Sequence, residues 1–294
     1  MGYNLSMEVK RVIPSGYCKG VVNAINIAKK VKEENKNTPV YVLGMIVHNS
    51  YVTKQLTELG IITLDDSNKT KEELLDEIDE GIVILTAHGT SDALKNKAIS
   101  KGLKVVDGTC EDVLKTKNLI IDYLNNDYDV IYFGKLGHPE SNAIVSISNR
   151  IHLVSDVTDI NLLNIKNDKI VVTNQTTMSY IELEHMIDVI LAKYPDAEII
   201  KEICNATSSR QLAIRNINDA DALYVVGDVK SNNTNKLVEV AKQSGIRNTH
   251  LIANKDEIKK EDLIGKSLVY VTAGASTPPI LIDEVIEYLK SIKV

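Results

Sequence analysis

The chain has 294 residues, 44% of them hydrophobic and 25% charged, which is enough to bury a substantial core and too many for one small domain. Its net charge of −6 argues against a broad nucleic-acid or anionic-membrane surface, since such a surface needs a basic face. No run approaches 18 consecutive apolar residues and the N-terminus lacks the apolar region of a secretory signal, so a cytoplasmic protein with neither membrane nor nucleic acid as partner is expected.

Short Val- and Ile-rich runs alternate with amphipathic helical runs along the whole chain. A β-like stretch over 9–13 leads into Cys18 and then a helix whose inner face carries Val21, Ala24, Ile25, Ala28 and Val31. Strands are expected over 40–46 and 82–86, with a charged connection over 65–79 between them. Another β-like stretch, 103–106, leads into Cys110, and Val113, Lys117, Ile120, Ile121 and Leu124 keep one face of the next helix. Strands over 130–134 and 170–173 follow, with a second charged connection over 161–169. A stretch over 198–203 leads into Cys204, and the last strands are expected over 223–227 and 268–272. Continuous, short, β-branched runs of this kind are what parallel strands buried on both faces look like, so the fold is read as α/β with parallel sheets.

The three cysteines carry a regularity. Cys18 and Cys110 are 92 residues apart and Cys110 and Cys204 are 94 apart, each close to a third of the chain. Each follows a β-like stretch and precedes a helical run. Polar residues then recur just past the next two strand ends: His48 and His88 after Cys18, His138 and Thr176 after Cys110, Ser231 and Ser276 after Cys204. A period this long implies three similar α/β units, 1–109, 110–203 and 204–294, rather than a solenoid. Functional groups in parallel α/β units collect at the carboxyl ends of strands, so a pseudo-threefold trefoil would bring the cysteines to one centre.

An odd number of widely spaced cysteines does not suit a disulfide framework. A thiolate at a helix N-terminus is favoured by the free N–H groups there and is the form that binds soft metals. Three buried cysteines packed as small apolar groups are the plainer alternative. Structural zinc fits poorly, because such sites draw on local C-x-x-C pairs and a fourth ligand. Three distant thiolates suit an iron–sulfur cluster with one iron left without a protein ligand.

Three of the six histidines stand in tight polar contexts after strands: His48 in "IVHNS", His88 in "TAHGTS" and His138 in "GHPES". A lone histidine in such a place is ordinarily structural, but three at equivalent places point to a shared site. His152, His185 and His250 lack that context and are read as surface or packing residues. "GDVKSNNTNKL" and "TAGASTPP" offer hydroxyl, amide and backbone donors for phosphate oxygens, although Ser, Asn and Gly after a strand are also ordinary turn residues. No G-x-x-x-x-G-K-[ST] is present, which excludes a P-loop. Glu140, two residues beyond His138, is the leading proton-transfer group.

Taken together, "GYCKGV", "MIVHNSYV", "TAHGTS", "DGTCEDVLKTK", "GKLGHPE", "TNQTTMS", "KEICNATSSRQ", "SNNTNKL" and "TAGASTP" resemble the 4-hydroxy-3-methylbut-2-enyl diphosphate reductase (IspH/LytB) family, in the family's order and over nearly the whole chain. The resemblance implies a trefoil of three α/β domains around a [4Fe-4S] cluster held by Cys18, Cys110 and Cys204, with one iron not ligated by protein. It implies reductive removal of the allylic hydroxyl of a small diphosphate substrate, giving isopentenyl and dimethylallyl diphosphate in the methylerythritol phosphate route. Electrons would come from an external donor of ferredoxin or flavodoxin type. His48, His88 and His138 would line the pocket, Ser231, Asn232, Asn233 and Ser276 would hold the diphosphate, Thr176 would meet the substrate hydroxyl and orient Glu140, and Glu140 would deliver the proton. The chain departs from the family pattern at Gly108 and Glu111, where Ala and Pro are usual, and at Ser141–Asn142–Ala143 in place of a Glu-Gly stretch. Two competing readings follow. One is a paralogue with the same cluster, acting as a hydro-lyase or on another small phosphorylated substrate. The other is an iron–sulfur sensor or electron carrier, which leaves the histidines, the glutamate and the Ser/Asn loops without a purpose.

Overall fold

The computed structural model describes residues 7–292. The chain forms two compact units, one running to Cys18 and resuming at Asn205, the other spanning Lys19–Cys204. Together they hold three four-stranded parallel sheets flanked by helices, an α/β architecture.

The Lys19–Cys204 unit contains two of the sheets. Helix α1 (Lys19–Glu34) buries Val21, Ala24, Ile25 and Ala28, the face expected from its spacing. Strands β2 (Val40–Leu43), β3 (Ile62–Leu64), β4 (Ile82–Leu85) and β5 (Lys104–Asp107) form a sheet in the order β3-β2-β4-β5. Helices α2 (Ser50–Glu58), α3 (Lys71–Asp76) and α4 (Asp92–Ser100) connect them. After α5 (Glu111–Asn125), strands β6 (Asp129–Phe133), β7 (Ile151–Val154), β8 (Ile170–Asn174) and β9 (Glu198–Ile199) form the second sheet in the order β7-β6-β8-β9. Its connections are α6 (Pro139–Val145), α7 (Val157–Leu162) and α8 (Tyr180–Lys193).

The other unit contains the third sheet. Helix α9 (Asn205–Arg215) leads to β10 (Ala222–Val226), α10 (Asn232–Gln243), β11 (Thr249–Ile252), β12 (Leu268–Ala273) and α11 (Pro279–Ser291). The fourth strand comes from the other end of the chain: β1 (Glu8–Arg11) pairs in parallel with β12, giving the order β1-β12-β10-β11. The segment 1–109 therefore supplies strands to two sheets. A strand of only four residues with the pattern EVKR has no second face to bury on its own, and it gains its pairing from a neighbour that the chain reaches only near its end.

Every residue of β4, β8 and β10 is buried, as expected for parallel strands covered on both faces. Fully burying each such Ile, Val or Leu is worth roughly 1.5–3 kcal/mol, so these central strands anchor their sheets. The charged stretch after residue 65 contains α3, started by a capping box between Thr70 and Glu73. Among the described residues, no helix is long and apolar enough to cross a membrane.

In all three sheets the central pair joins the first and third of three consecutive strands, β2–β4, β6–β8 and β10–β12. The chain leaves the first strand toward one edge and returns to pair on its other side. That reversal is a topological switch point, where parallel α/β sheets open a crevice at the carboxyl ends of their strands.

Candidate functional site

The residues singled out by the sequence lie at those carboxyl ends. His48, His138 and Ser231 follow β2, β6 and β10; His88, Thr176 and Ser276 follow β4, β8 and β12. Cys18, Cys110 and Cys204 follow β1, β5 and β9, and each prolongs the strand ladder of its own sheet. The N–H of Cys110 donates to the carbonyl of Ala87 at 3.0 Å, that of Cys204 to Thr176 at 3.0 Å, and that of Cys18 to Ala275 at 3.1 Å. Each thus hangs from the loop that carries His88, Thr176 or Ser276. Cys110 is the N-cap of α5, and Cys18 and Cys204 immediately precede α1 and α9. All three are half-buried and none is disulfide-bonded.

Within the Lys19–Cys204 unit the structure brings His48, His88, His138, Glu140 and Thr176 together. The rings of His48 and His88 are 3.9 Å apart, and that of His138 lies 5.4 and 5.6 Å from them. His138 caps α6, its Nδ1 accepting from the N–H of Glu140 at 3.2 Å. Burial, with His48, Lys135 and Lys71 adding positive charge nearby, pushes His138 down to about 3. Burial first, then His48, His138 and Lys71, holds His88 well below the ordinary imidazole value, and its enclosed Nδ1 meets no hydrogen-bond partner. His88 and His138 are therefore neutral near pH 7.

Glu140 is 1% exposed. Thr176 holds both its oxygens: the backbone N–H donates to Oε1 at 2.8 Å and the hydroxyl pairs with Oε2 at 2.9 Å. The Tyr132 hydroxyl donates to Oε1 at 3.3 Å. Burial raises the carboxyl to about 7, the Thr176 and Tyr132 hydrogen bonds pull the other way, and Asp112 adds to the rise. A carboxylic acid that titrates near neutrality can hold and release a proton at working pH.

The unit containing Asn205 onwards gathers the Ser/Asn set. Ser231 caps α10, its Oγ accepting from the N–H of Thr234 at 3.3 Å. Asn233 is fixed by two bonds, its Nδ2 donating to Thr207 Oγ1 at 3.0 Å and its Oδ1 accepting from the N–H of Ala275 at 2.9 Å. Ser231, Asn232, Asn233 and Ser276 are all buried. The "TAGAS" loop closes against α10 because residue 274 is glycine: a Cβ there would stand 3.0 Å from that of Thr234 and closer still to its hydroxyl oxygen. A helix N-terminus with hydroxyl and amide groups beside it is a ready anion site.

Several residues here escaped sequence reasoning. Tyr132 reads as one more apolar residue of a core strand, yet a buried phenol requires a polar partner, and Glu140 is that partner. Gln175 ties two loops together, accepting from Lys135 N–H at 2.9 Å and the Ser141 hydroxyl at 3.2 Å. Lys71, at the start of α3, reaches over Gly44, and burial keeps its ammonium below its usual value against the pull of Asp65 and Glu72. Arg210 on α9 is buried and donates to the carbonyls of Gly16 and Tyr17, immediately before Cys18. Two of the residues that depart from the resembled pattern have local partners: Glu111 pairs with Lys19 at 3.2 Å on the surface, and the Ser141 hydroxyl bonds Gln175.

Among the described residues, no group of three or more His, Cys, Asp or Glu side chains is placed to hold a single metal ion, so the packed imidazoles are not an ion site. A four-iron cluster makes a different demand, since each thiolate binds its own iron and the thiols need not meet. Three cysteines that form no disulfide, at helix starts and each suspended by the same backbone bond, supply donors of the right chemistry.

Comparisons with known proteins agree with this reading. The profile of the family described as "LytB protein" matches residues 9–290. A protein of Geobacillus sp. (strain WCH70) named 4-hydroxy-3-methylbut-2-enyl diphosphate reductase is 46% identical over 287 residues, covering 97% of this chain and 90% of that one. A protein of the same name from Bacillus subtilis (strain 168) is 44% identical over 97% of this chain and 91% of its own. Among solved structures, the E-1-hydroxy-2-methyl-but-2-enyl-4-diphosphate reductase of Plasmodium falciparum superposes with a TM-score of 0.88 at 29% identity, covering 96% of this chain and 87% of that one. A structure described as (E)-4-hydroxy-3-methyl-but-2-enyl diphosphate reductase, the terminal enzyme of the non-mevalonate pathway, gives a TM-score of 0.66 at 27% identity, covering 97% and 100%.

Proposed function

The chain belongs to the LytB protein family, and from that premise we propose that it catalyses the reaction for which its relatives are named, the reductive removal of the allylic hydroxyl of 4-hydroxy-3-methylbut-2-enyl diphosphate. Two electrons and two protons turn the hydroxyl into water and leave a C–H bond, so the products are isopentenyl and dimethylallyl diphosphate.

We assign the cluster to Cys18, Cys110 and Cys204 on the strength of their shared backbone suspension and helix-start positions. Bound there, a [4Fe-4S] cluster with one iron not ligated by protein supplies single electrons from an external ferredoxin- or flavodoxin-type donor and a Lewis-acidic iron for an oxygen ligand. Ser231, Asn232, Asn233 and Ser276 are assigned to the diphosphate, as hydroxyl and amide groups at the start of α10 and after β12. His48 and His88 lie at the equivalent strand ends and are assigned to the pocket wall with His138.

The observation that carries the chemistry is the buried Glu140–Thr176 pair. Hydroxide is a poor leaving group and water a good one, so C–O cleavage needs a proton at the oxygen. Glu140, raised to about 7 by burial, holds one at neutral pH, and Thr176 presents a hydroxyl that both donates and accepts. Thr176 is assigned to the substrate hydroxyl and Glu140 to the proton behind it. The neutral imidazoles of His88 and His138 border this acid without competing for its proton.

The test is anaerobic preparation, iron and sulfide analysis, and assay of the hydroxylated diphosphate with and without reduced ferredoxin or dithionite-reduced viologen. Formation of both products only with reductant supports the reductase. Loss of the hydroxyl without reductant identifies a hydro-lyase instead.

A further inference from the structure

This inference rests on the reading of Glu140 as the acid and concerns which of its two oxygens carries the proton. Oε1 receives the Thr176 N–H at 2.8 Å and the Tyr132 hydroxyl at 3.3 Å, while Oε2 faces the Thr176 hydroxyl at 2.9 Å. A backbone N–H can only donate, whereas a threonine hydroxyl can donate or accept. Tyr132 is fully buried in an apolar cluster with Ile120, Leu124, Val130, Ile144, Ile151 and Val171, where an acceptor for its hydroxyl is scarce. Its ring fits beneath the loop because residue 134 is glycine: a Cβ there would lie 2.9 Å from Tyr132 Cε1.

We infer that Tyr132 is a positioning residue that, with the Thr176 N–H, reserves Oε1 as an acceptor and so seats the acid proton on Oε2, against the Thr176 hydroxyl. With both lone-pair directions of Oε1 occupied by donors, a proton placed there would displace one of them inside the core, leaving a buried donor unsatisfied. On Oε2 the proton points at Thr176 Oγ1, whose own hydrogen then turns outward to a further acceptor. Tyr132 also stabilises the ionised carboxylate more than the neutral acid, because a hydrogen bond to a charge is the stronger one. The other ionisable groups facing Glu140 are His138 at the same helix start and Asp112 on α5, and neither touches Tyr132 among the bonds described. Burial and the neighbouring Glu140 charge hold the Tyr132 phenol well above its ordinary value, so it stays a donor.

The experiment follows the Glu140 carboxyl band by infrared difference spectroscopy across pH in cluster-loaded protein, the band being identified by its loss in Glu140→Gln. Turnover and KM are measured in parallel on the hydroxylated diphosphate. In Tyr132→Phe the carboxyl titration and the falling alkaline limb of kcat both move up by about one pH unit, with KM within about twofold of the parent. Incorporating 3-fluorotyrosine at position 132 provides a stronger donor of nearly the same shape, moves both in the opposite direction, and serves if the Phe variant fails to fold. An unmoved carboxyl titration in both variants overturns the role of Tyr132. A carboxyl band that moves while the kcat limb stays fixed leaves Tyr132 on Glu140 and overturns the reading of Glu140 as the acid.

Discussion

Thr176 grips Glu140 at both ends: its N–H sits 2.8 Å from Oε1 and its hydroxyl 2.9 Å from Oε2. The same residue's carbonyl accepts the N–H of Cys204 at 3.0 Å. One residue after β8 therefore sets the position of a buried acid and of a cysteine.

Removing only the hydroxyl separates these duties. Thr176→Val keeps the backbone bonds and leaves Oε2 buried without a partner. Turnover is expected to fall about 10²-fold or more, whereas Thr176→Ser keeps most of it. Iron content should match the parent in both. Equal turnover in the Val and Ser variants would show that the hydroxyl has no part in the chemistry.

Glu140→Gln preserves size and polarity but cannot act as an acid. Turnover is expected to drop by about 10²- to 10⁴-fold with iron, sulfide and KM near the parent values. If the variant turns over at the parent rate with its cluster intact, the proton has another source.

The same substitution has a stability signature. Burial raises the Glu140 carboxyl from 4.5 to about 7, so below pH 4.5 both folded and unfolded chains are protonated there and no cost arises. As pH climbs through the folded value the unfolded state has already ionised, and stability is lost, by about 3 kcal/mol once complete. Thermal unfolding of Glu140→Gln against the parent should show the gap moving in the variant's favour between pH 5 and pH 8. A pH-independent gap would mean that the carboxyl is not raised.

His138 acts on the acid side with the opposite course. Its folded value of about 3 lies below the ordinary 6.5, so it contributes stability above pH 6.5 that is lost as pH falls toward 3. His138→Asn retains a helix N-cap and removes the titration. The acid decline of its melting temperature should be shallower than the parent's, and an identical slope would count against a buried neutral imidazole.

Cys18→Ser, Cys110→Ser and Cys204→Ser should each reduce bound iron and sulfide after anaerobic preparation, with all three helix starts intact by circular dichroism. Full iron and sulfide in the triple variant would remove the cluster assignment altogether.

Ser276 lies buried at the end of β12 beside the Asn233-fixed loop. Ser276→Ala should weaken inorganic diphosphate binding by about 1 to 2 kcal/mol, the usual worth of a hydrogen bond to a charged group. Isothermal titration with diphosphate reads this directly; unchanged affinity would exclude Ser276 from the anion site.

Much of this protein is written locally. The Val- and Ile-rich runs specify β2, β4, β6, β8, β10 and β12, because a continuous apolar run needs cover on both faces and only a parallel sheet between helices provides it. The recurrence of cysteine before a helix and of polar residues after those strands marks the strand ends, in each of the three sheets, that carry these groups. The outer strands β3, β7 and β11 did not stand out, since three or four residues such as ITL, IHLV and THLI alternate weakly and owe their extension to pairing at a sheet edge.

What the tertiary structure alone decided are the relations between residues far apart in the chain. The pairing of β1 with β12 joins the first described strand to the last, and no local pattern encodes a partner 260 residues away. Tyr132 could be read only as core until its hydroxyl was seen on Glu140. Sequence marks Glu140 as a proton-transfer group by its place after His138, but only α6 turns it inward beneath Thr176 and buries it. Sequence fixes which groups exist and at which strand ends; burial fixes their charge, because the cost of an ion depends on what surrounds it, and those surroundings are assembled only when the sheets form.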